Sequence, residues 1–104
     1  MEKFEALISQ RLESTDLSVD ELAGEMALGR SVFYQKVKGV TGLTPNDYIR
    51  TFRLKKAATL LQNGETRINE VCYRVGFSSP SYFTKRFTMQ FGISPSDYLK
   101  KLEK

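Results

Sequence analysis

Histidine and tryptophan are absent from the sequence, and cysteine occurs once. Without histidine the chain cannot build a serine–histidine–aspartate triad, and one cysteine can form neither an internal disulfide nor a tetrahedral zinc site. Glycine-rich phosphate loops are lacking too, and so are acidic clusters outside the solvated first helix. We therefore predict a protein that is not an enzyme, has no catalytic residues and holds no metal or cofactor.

Long apolar runs are also absent. The longest uncharged stretches, such as residues 87–96, are mixed in polarity and far shorter than the ~20 apolar residues of a membrane-spanning helix. The N-terminus is acidic, unlike the basic start of a signal peptide. With the scarcity of cysteine, these features predict a soluble protein of the reducing cytoplasm.

The length of 104 residues limits the chain to a single domain, 1–104. A chain of this size hides only roughly 65% of its unfolded surface on folding. The hydrophobic content of 40% therefore supports one modest core and leaves no room for a separate catalytic domain.

Positive charge is concentrated in the middle of the chain. The net charge is +4, although residues 1–25 carry two bases and seven acids. Residues 30–56 contain one acid, Asp47, and seven bases: Arg30, Lys36, Lys38, Arg50, Arg53, Lys55 and Lys56. This distribution favours a polyanionic partner. On charge alone, an ordinary solvated face with a slight basic excess is an equal alternative.

Apolar residues recur at helical spacing, and the alternation typical of strands is almost absent, which predicts an all-α fold. The first helix is expected over about residues 2–13, and the second over about 18–26, after a capping box that starts at Ser18. Gly29 is expected to form the next turn. The third helix would cover residues 31–38, with Gly39 at its end.

The second half of the chain repeats the first. Residues 69–72 align with residues 20–23 at an offset of 49, and residues 91–98 align with residues 41–48 at an offset of 50. Each copy reads as a short helix, a turn containing glycine, and a second helix, which is the helix-turn-helix pattern. This internal duplication is a stronger signal than any single motif.

The repeat predicts helix-turn-helix units at about 20–39 and 69–89, joined by a linking helix at about 45–63. Ser79 would cap the second helix of the later unit. In such a unit the first helix braces the second, which enters the major groove of DNA. Small and apolar residues hold the two helices together: Leu22, Ala23, Met26, Leu28, Phe33 and Val37, with Cys72 at the place matching Ala23. Cys72 is thus interpreted as a packed residue, not a reactive thiol.

The linking helix would be 19 residues long by count, or roughly 28 Å, close to the roughly 34 Å between successive major grooves. Its inward stripe is predicted to be Tyr48, Ile49, Phe52, Leu54, Ala57, Ala58 and Leu61, which leaves Arg50, Arg53, Lys55 and Lys56 for solvent or phosphate. For Arg53 a second reading stays open, in which it is buried and paired with an acid.

Outward positions of the two second helices carry side chains suited to reading DNA. They are Arg30, Ser31, Tyr34, Gln35 and Lys38 in the first unit and Ser81, Tyr82, Thr84, Lys85 and Arg86 in the other. Glutamine can bond adenine, lysine and arginine can bond guanine, and tyrosine can contact thymine methyls or phosphate. Any one of these residues alone is more often an ordinary solvent-exposed side chain than a DNA contact. Two such helices at matching places of a repeat favour DNA binding.

The sequence closely resembles the AraC/XylS-type DNA-binding domain of bacterial transcription regulators over nearly its whole length. The segments that carry the resemblance are 22–23, 28–36, 42–45, 53–57 and 75–83, followed by Phe87 and 91–95. The resemblance implies seven helices, two helix-turn-helix units bridged by a long helix, and base contacts in successive major grooves. Departures from the family pattern are Gly29, where a serine cap is frequent, and Thr88, where a lysine near phosphate is common.

Carried over residue by residue, the base-reading places fall on Ser31, Tyr34, Gln35, Ser81, Tyr82 and Lys85. Contacts to the DNA backbone are expected from Arg30, Lys36, Lys38, Arg50, Thr84 and Arg86. The partners implied are double-stranded operator or promoter DNA and RNA polymerase, with no membrane contact. The acidic leading helix and residues 17–19 are similar to the output domain of hybrid two-component regulators, which implies sensor and receiver domains upstream in a longer chain.

The main alternative is a protein-interaction module that has lost DNA readout. Acids on the reading helices would favour that alternative, but residues 31–38 and 81–88 contain four bases and no acid. An RNA binder would need a platform of exposed aromatic residues. Tyr34 and Tyr82 alone do not make one.

Overall fold

A computed structural model describes residues 2–11 and 19–102. The described residues form helices and no strand, in the order α1 (Glu2–Gln10), α2 (Val19–Glu25), α3 (Arg30–Thr41), α4 (Pro45–Gln62), α5 (Ile68–Arg74), α6 (Pro80–Phe91) and α7 (Pro95–Leu102). The predicted all-α fold with seven helices is confirmed. None of the helices in these two ranges is long and apolar enough to cross a membrane.

The chain divides into two compact units, Met1–Arg50 and Thr51–Lys104, with the division inside α4. Two predicted features of the first unit lie outside the described residues: the last residues of the first helix and the Ser18 hydroxyl of the capping box. Within the described part, α2 begins at Val19 and α1 ends at Gln10.

The core of the first unit is built around Phe4 of α1. Its ring meets that of Phe33 edge to face at a centroid distance of 5.3 Å and stacks on Tyr48 at 5.1 Å. Other residues buried in this unit are Ile8, Leu22, Ala23, Val37 and Ile49. On the surface, Arg11 forms ion pairs with Glu21 and Glu25, which fasten α1 to α2.

The core of the second unit is a chain of aromatic contacts. Phe83 lies 5.2 Å from Phe77 and 5.8 Å from Phe87, whose ring in turn lies 5.7 Å from that of Tyr98. Further buried residues are Leu54, Ala57, Ala58, Leu61, Val71, Cys72 and Val75. Cys72 is fully buried, and burial raises the pKa of its thiol, so it is a packing residue as predicted.

The helix ends of the two repeats differ from the prediction in the same way. Gly39 does not end α3, which continues to Thr41 and closes at Gly42 with φ of 78°. Likewise α6 passes Met89 and closes at Gly92 with φ of 75°. A glycine within a helix weakens it without breaking it, whereas glycine is the residue that most readily adopts the left-handed conformation at a helix end. The expected boundaries at 39 and 89 were therefore too early.

The turn of the first unit depends on Ala27, not on Gly29. Ala27 takes the left-handed conformation with φ of 57°, whereas Gly29 is extended, with φ of −66° and ψ of 154°, at the start of α3. The Leu28 amide donates to the Ala23 carbonyl at 3.0 Å, as in a Schellman motif. The second unit closes the matching turn with Gly76 at φ of 93°. Ala27 is the one described residue other than glycine with positive φ.

Replacing Ala27 with glycine is expected to stabilise the first unit. The left-handed conformation costs an alanine roughly 1 to 2 kcal/mol, while glycine adopts it freely. After the larger entropy of unfolded glycine is subtracted, we expect a gain of about 0.5 to 1 kcal/mol in the free energy of unfolding. Urea titration measures it. Gly76→Ala is the matched control and should lose stability; a loss in Ala27→Gly would contradict this account of the turn.

Hydroxyl caps start three of the helices. The side-chain oxygens of Thr44, Ser79 and Ser94 each accept a hydrogen bond from the backbone amide three residues later. The donors are Asp47 at 3.2 Å, Tyr82 at 3.2 Å and Asp97 at 3.1 Å. The predicted Ser79 cap is confirmed. Gly29 provides no side-chain cap for α3, so the first unit lacks an interaction worth a few tenths of a kcal/mol relative to serine.

A hydrogen bond between Tyr48 and Glu5 joins α4 to α1 within the first unit. The Tyr48 hydroxyl donates to Glu5 Oε1 at 2.8 Å. Burial first, and then the hydrogen bond and charge of Glu5, raise the pKa of Tyr48 to about 12. The folded protein therefore holds the phenol proton more tightly than the unfolded chain does, where the pKa has its ordinary value of 10.0.

This pKa shift predicts a loss of stability at high pH. Below pH 10.0 the phenol is protonated in both states, so its contribution is fully present; it is lost as the pH rises to about 12. Unfolding midpoints measured across that range should fall less steeply in Tyr48→Phe than in the parent. Equal slopes in both proteins would show that Tyr48 is not the responsible group. Tyr73→Phe, which alters an exposed phenol, serves as the control.

Candidate nucleic-acid interface

Helix α3 presents the three base-reading candidates of the first unit on one surface. Phe33 and Val37 are buried and set the rotation of the helix, which leaves Ser31, Tyr34 and Gln35 exposed. These three side chains, together with Arg30, line a shallow depression of about 260 Å³. The structure thus brings the predicted residues together in a hollow bordered by a cation and three hydrogen-bonding groups.

Helix α6 is oriented by two buried residues, as α3 is. Phe83 and Phe87 are buried, and the candidates Ser81, Tyr82 and Lys85 are exposed. The Tyr82 ring lies 6.1 Å from that of the buried Phe77, measured between ring centroids, and Tyr82 remains 47% exposed. An aromatic ring packed on one side has less freedom to lose on binding.

The repeat register shows that the two candidate sets do not correspond fully. At the offset of 50, Ser31 matches Ser81 and Gln35 matches Lys85, but Tyr34 matches Thr84 and the counterpart of Tyr82 is Val32. Val32 is 49% exposed. The set predicted from the sequence did not include it, although the offset already pointed to this position.

The backbone-contact candidates fall into two groups. Arg30, Lys36, Lys38 and Thr84 are exposed, while Arg50 and Arg86 are half-buried. Arg50 Nη2 donates to Asp47 Oδ1 at 2.6 Å, within α4. The Arg86 Nε is buried and has no hydrogen-bond partner among the described residues. Arg30, Lys36, Lys38 and Thr84 are thus open to solvent, whereas Arg50 and Arg86 are partly covered by neighbouring residues.

Arg53 is buried, as one of the two readings expected, although the acceptor of its Nη1 hydrogen bond is a main-chain carbonyl and not an acid. It is 7% exposed, and its Nη1 donates to the main-chain carbonyl of Gly76 at 2.6 Å. Burial lowers the pKa of its guanidinium group, which still carries its charge at neutral pH. The acceptor is a carbonyl in the turn before α6, so Arg53 stabilises the turn that leads into this helix.

The two candidate helices carry charge of one sign. Helices α3 and α6 contain no acid and five bases, Arg30, Lys36, Lys38, Lys85 and Arg86. Among the described residues there is no group of three metal-ligating side chains. The exposed side chains of α3 and α6 offer hydrogen bonding and positive charge, on helices narrow enough to enter a major groove.

Known proteins share this sequence pattern. Residues 22–101 match the family model described as a helix-turn-helix domain. Histidine kinase P4 of Formosa agariphila is 35% identical over 92 residues, which are 88% of this chain and 7% of that protein. The HTH-type transcriptional activator RhaS of Escherichia coli is 34% identical over 82 residues, which are 79% of this chain and 30% of that protein. The chain thus spans less than a third of either relative.

Solved structures share the fold. A transcriptional regulator from Chromobacterium violaceum, described as containing an AraC-type DNA-binding domain, superposes with a TM-score of 0.89 at 26% identity over 97% of this chain and 89% of that one. The DNA-binding domain of the global transcriptional factor AdpA, solved in complex with a target DNA, gives a TM-score of 0.86 at 28% identity over 96% and 89%. Because the family match covers more than half of the chain, the chain belongs to the AraC/XylS-type helix-turn-helix domains.

Proposed function

We propose that this chain binds double-stranded DNA in a sequence-specific manner to regulate transcription, with α3 and α6 as its two reading helices. The observation that carries the proposal is that both helices bury two large apolar residues at matching positions and present exposed hydrogen-bonding side chains without any acid. AdpA, a similar domain in fold, was solved with a target DNA, which supports the proposal.

The side chains of the proposed interface match the chemistry of base edges. Gln35 can bond adenine at two positions, and Lys85 can bond the O6 and N7 atoms of guanine. Ser31, Ser81 and the exposed tyrosines of these two helices, Tyr34 and Tyr82, can accept or donate at either kind of pair. These six residues are the proposed base readers.

Phosphate contacts are assigned to side chains near the readers. Arg30, Lys36 and Lys38 on α3 and Thr84 on α6 are exposed to solvent. Arg50 and Arg86 complete the proposed set and would have to give up partly buried positions. These contacts would supply the affinity that does not depend on sequence.

Successive major grooves are the proposed binding sites of the two helices. The continuous helix α4 has 18 residues, or roughly 27 Å, and successive major grooves lie roughly 34 Å apart. The matching positions of α3 and α6 in the repeat support a pair of readers on one duplex. Footprinting of a bound duplex tests the point, because protection confined to a single groove would contradict it.

The remaining partners follow from the relatives. Histidine kinase P4 is a much longer protein, of which this chain spans 7%, and this supports sensor and receiver domains upstream of the present segment. RhaS is a transcriptional activator by name, which supports RNA polymerase as a second partner. A regulator of this kind would act in the bacterial cytoplasm, where the chromosome lies.

Loss of one reading side chain is expected to relax sequence preference at a few base pairs. Gln35→Ala and Lys85→Ala should each reduce discrimination there by roughly 1 to 3 kcal/mol, because a bidentate contact is lost while phosphate contacts persist. Selection from random duplexes, carried out with the parent and each variant, measures the preference. The exposed Thr59, on α4, provides a control, Thr59→Ala. Equal weakening on all sequences would reassign the two residues to the DNA backbone, and no enriched duplex for the parent would refute the proposed function.

A further inference from the structure

Val32 is a branched apolar side chain on the reading surface of α3. It is 49% exposed, and it lies between the exposed Ser31 and the buried Phe33. At about 100° per residue, Val32 lies about 60° to one side of Gln35, whereas Tyr34 lies about 100° to the other side. Gln35 lies nearly opposite the buried Phe33 and Val37 around the helix axis. Val32 is thus closer than Tyr34 to the side of α3 that faces away from the core.

The second unit places a proposed reader at the same position. Tyr82 corresponds to Val32 at the repeat offset of 50 and is exposed to a similar degree, 47% against 49%. The flanking pairs also correspond, Ser31 with Ser81 and Gln35 with Lys85. The same backbone position is therefore presented outward in both reading helices, with an aliphatic group in one and a phenol in the other.

We infer that Val32 is a specificity-determining residue that contacts the 5-methyl group of a thymine in the major groove. The inference rests on the proposed function of α3 as a reading helix. Valine has no hydrogen-bonding side-chain atoms, and the thymine methyl is the one apolar group that a base pair displays in that groove. Close packing of the two apolar groups removes both from water and favours thymine over cytosine, which lacks the methyl.

Val40 offers a matched comparison on the same helix. It is a second exposed valine of α3, at 69%, but it lines an apolar groove with Phe4, Met26 and Phe33. At about 100° per residue, it lies about 140° around the helix axis from Gln35. Val40 therefore has the side-chain chemistry of Val32 without its position among the readers.

Deoxyuridine scanning tests the inference. The probe is a duplex recovered by selection from random sequences, in which each thymine is replaced in turn by deoxyuridine, so that one methyl group is removed. For the parent 104-residue chain, at least one replacement should weaken binding about fourfold, the equivalent of about 0.8 kcal/mol for one buried methyl-sized group. In Val32→Ala the same replacement should have no effect, because the methyl has already lost its partner.

Two further variants separate the contact from a general change in α3. Val32→Ile keeps a branched apolar side chain and should retain the deoxyuridine effect, and Val40→Ala should give the scan of the parent. Circular dichroism checks folding, which should persist because alanine favours helix more than valine does. An effect lost in Val32→Ala and retained in Val32→Ile supports the inference.

The outcomes distinguish the inference from the proposed function. If the parent enriches no duplex, the proposed function fails and the inference fails with it. If the parent binds a selected duplex with clear preference, but no methyl matters or the scans of the parent and Val32→Ala agree, the inference alone is overturned. The same holds if Val40→Ala abolishes the effect, because the position of Val32 would then carry no information.

Discussion

Raising the salt concentration from about 50 mM to about 200 mM is expected to weaken binding to duplex DNA by three to four orders of magnitude. With roughly five to eight phosphates neutralised, the logarithm of the binding constant should fall against the logarithm of salt with a slope of about −5 to −7. We expect the exposed bases Arg30, Lys36, Lys38 and Lys85 to neutralise some of these phosphates, and Lys55 and Lys56 on α4 are exposed as well.

The salt slope of individual variants should show how much each basic side chain contributes to the slope of the parent. Lys38→Ala removes one exposed base of α3 and should lower the magnitude of the slope by about 0.9. Arg50→Ala should lower it less, because the ion pair between Arg50 and Asp47 competes with phosphate. Gln35→Ala, which removes no charge, is the control and should leave the slope unchanged. Equilibrium titrations at several salt concentrations measure it, and a flat response of the parent would count against a DNA partner.

The helices were predictable because their signals are local. The spacing of apolar residues located the cores, and Pro45 and Ser79 marked the starts of two helices. Because the second half of the chain repeats the first, the helices assigned in one half supported those assigned in the other. The helix ends were less accessible. Gly39 and Gly42 are both candidates by residue type, and only the backbone conformation distinguishes them: φ is positive at Gly42 and not at Gly39.

The turn of the first unit could not be inferred from residue type. Glycine is the usual residue for a left-handed position, which made Gly29 the natural choice. The fold instead places Ala27 there, because the Leu28 amide reaches the Ala23 carbonyl only after that reversal. The matching glycine of the second unit, Gly76, was the one clue, and it becomes informative only when the offset of 49 is applied to the turn.

The candidate interface was predictable as a surface but not in its details. Helical spacing identified which residues of α3 and α6 face outward, and the structure exposes all six proposed readers. Spacing could not show that Arg50 and Arg86 are half-buried, because this depends on neighbours distant in sequence. It also left Arg53 undecided. A basic side chain between the half-buried Phe52 and the buried Leu54 can point to the core or to solvent. The sequence does not show the hydrogen-bond acceptor that decides between the two.

The structural role of Arg53 leads to a large expected effect on stability. Arg53→Ala should reduce the free energy of unfolding by about 3 to 4 kcal/mol. About 1.5 to 3 kcal/mol reflects the lost charge-assisted hydrogen bond to the Gly76 carbonyl. The remainder reflects the cavity left by a side chain that is 7% exposed. Because the carbonyl lies in the turn before α6, DNA affinity should fall as well, through a less well ordered reading helix.

Two measurements on Arg53→Ala separate this role from phosphate binding. Urea unfolding should show the loss of stability, while the salt slope of DNA binding should stay that of the parent, since a guanidinium group held against a carbonyl releases no counterion. The neighbouring exposed Lys55 gives the matched control: Lys55→Ala should change stability by less than about 0.5 kcal/mol. Arg53→Lys should recover only part of the stability, because lysine lacks the planar fork that reaches the carbonyl from a packed position. Unchanged stability of Arg53→Ala combined with a slope smaller by about 0.9 would mean that Arg53 contacts phosphate after all, and that the hydrogen bond to Gly76 does not hold the turn.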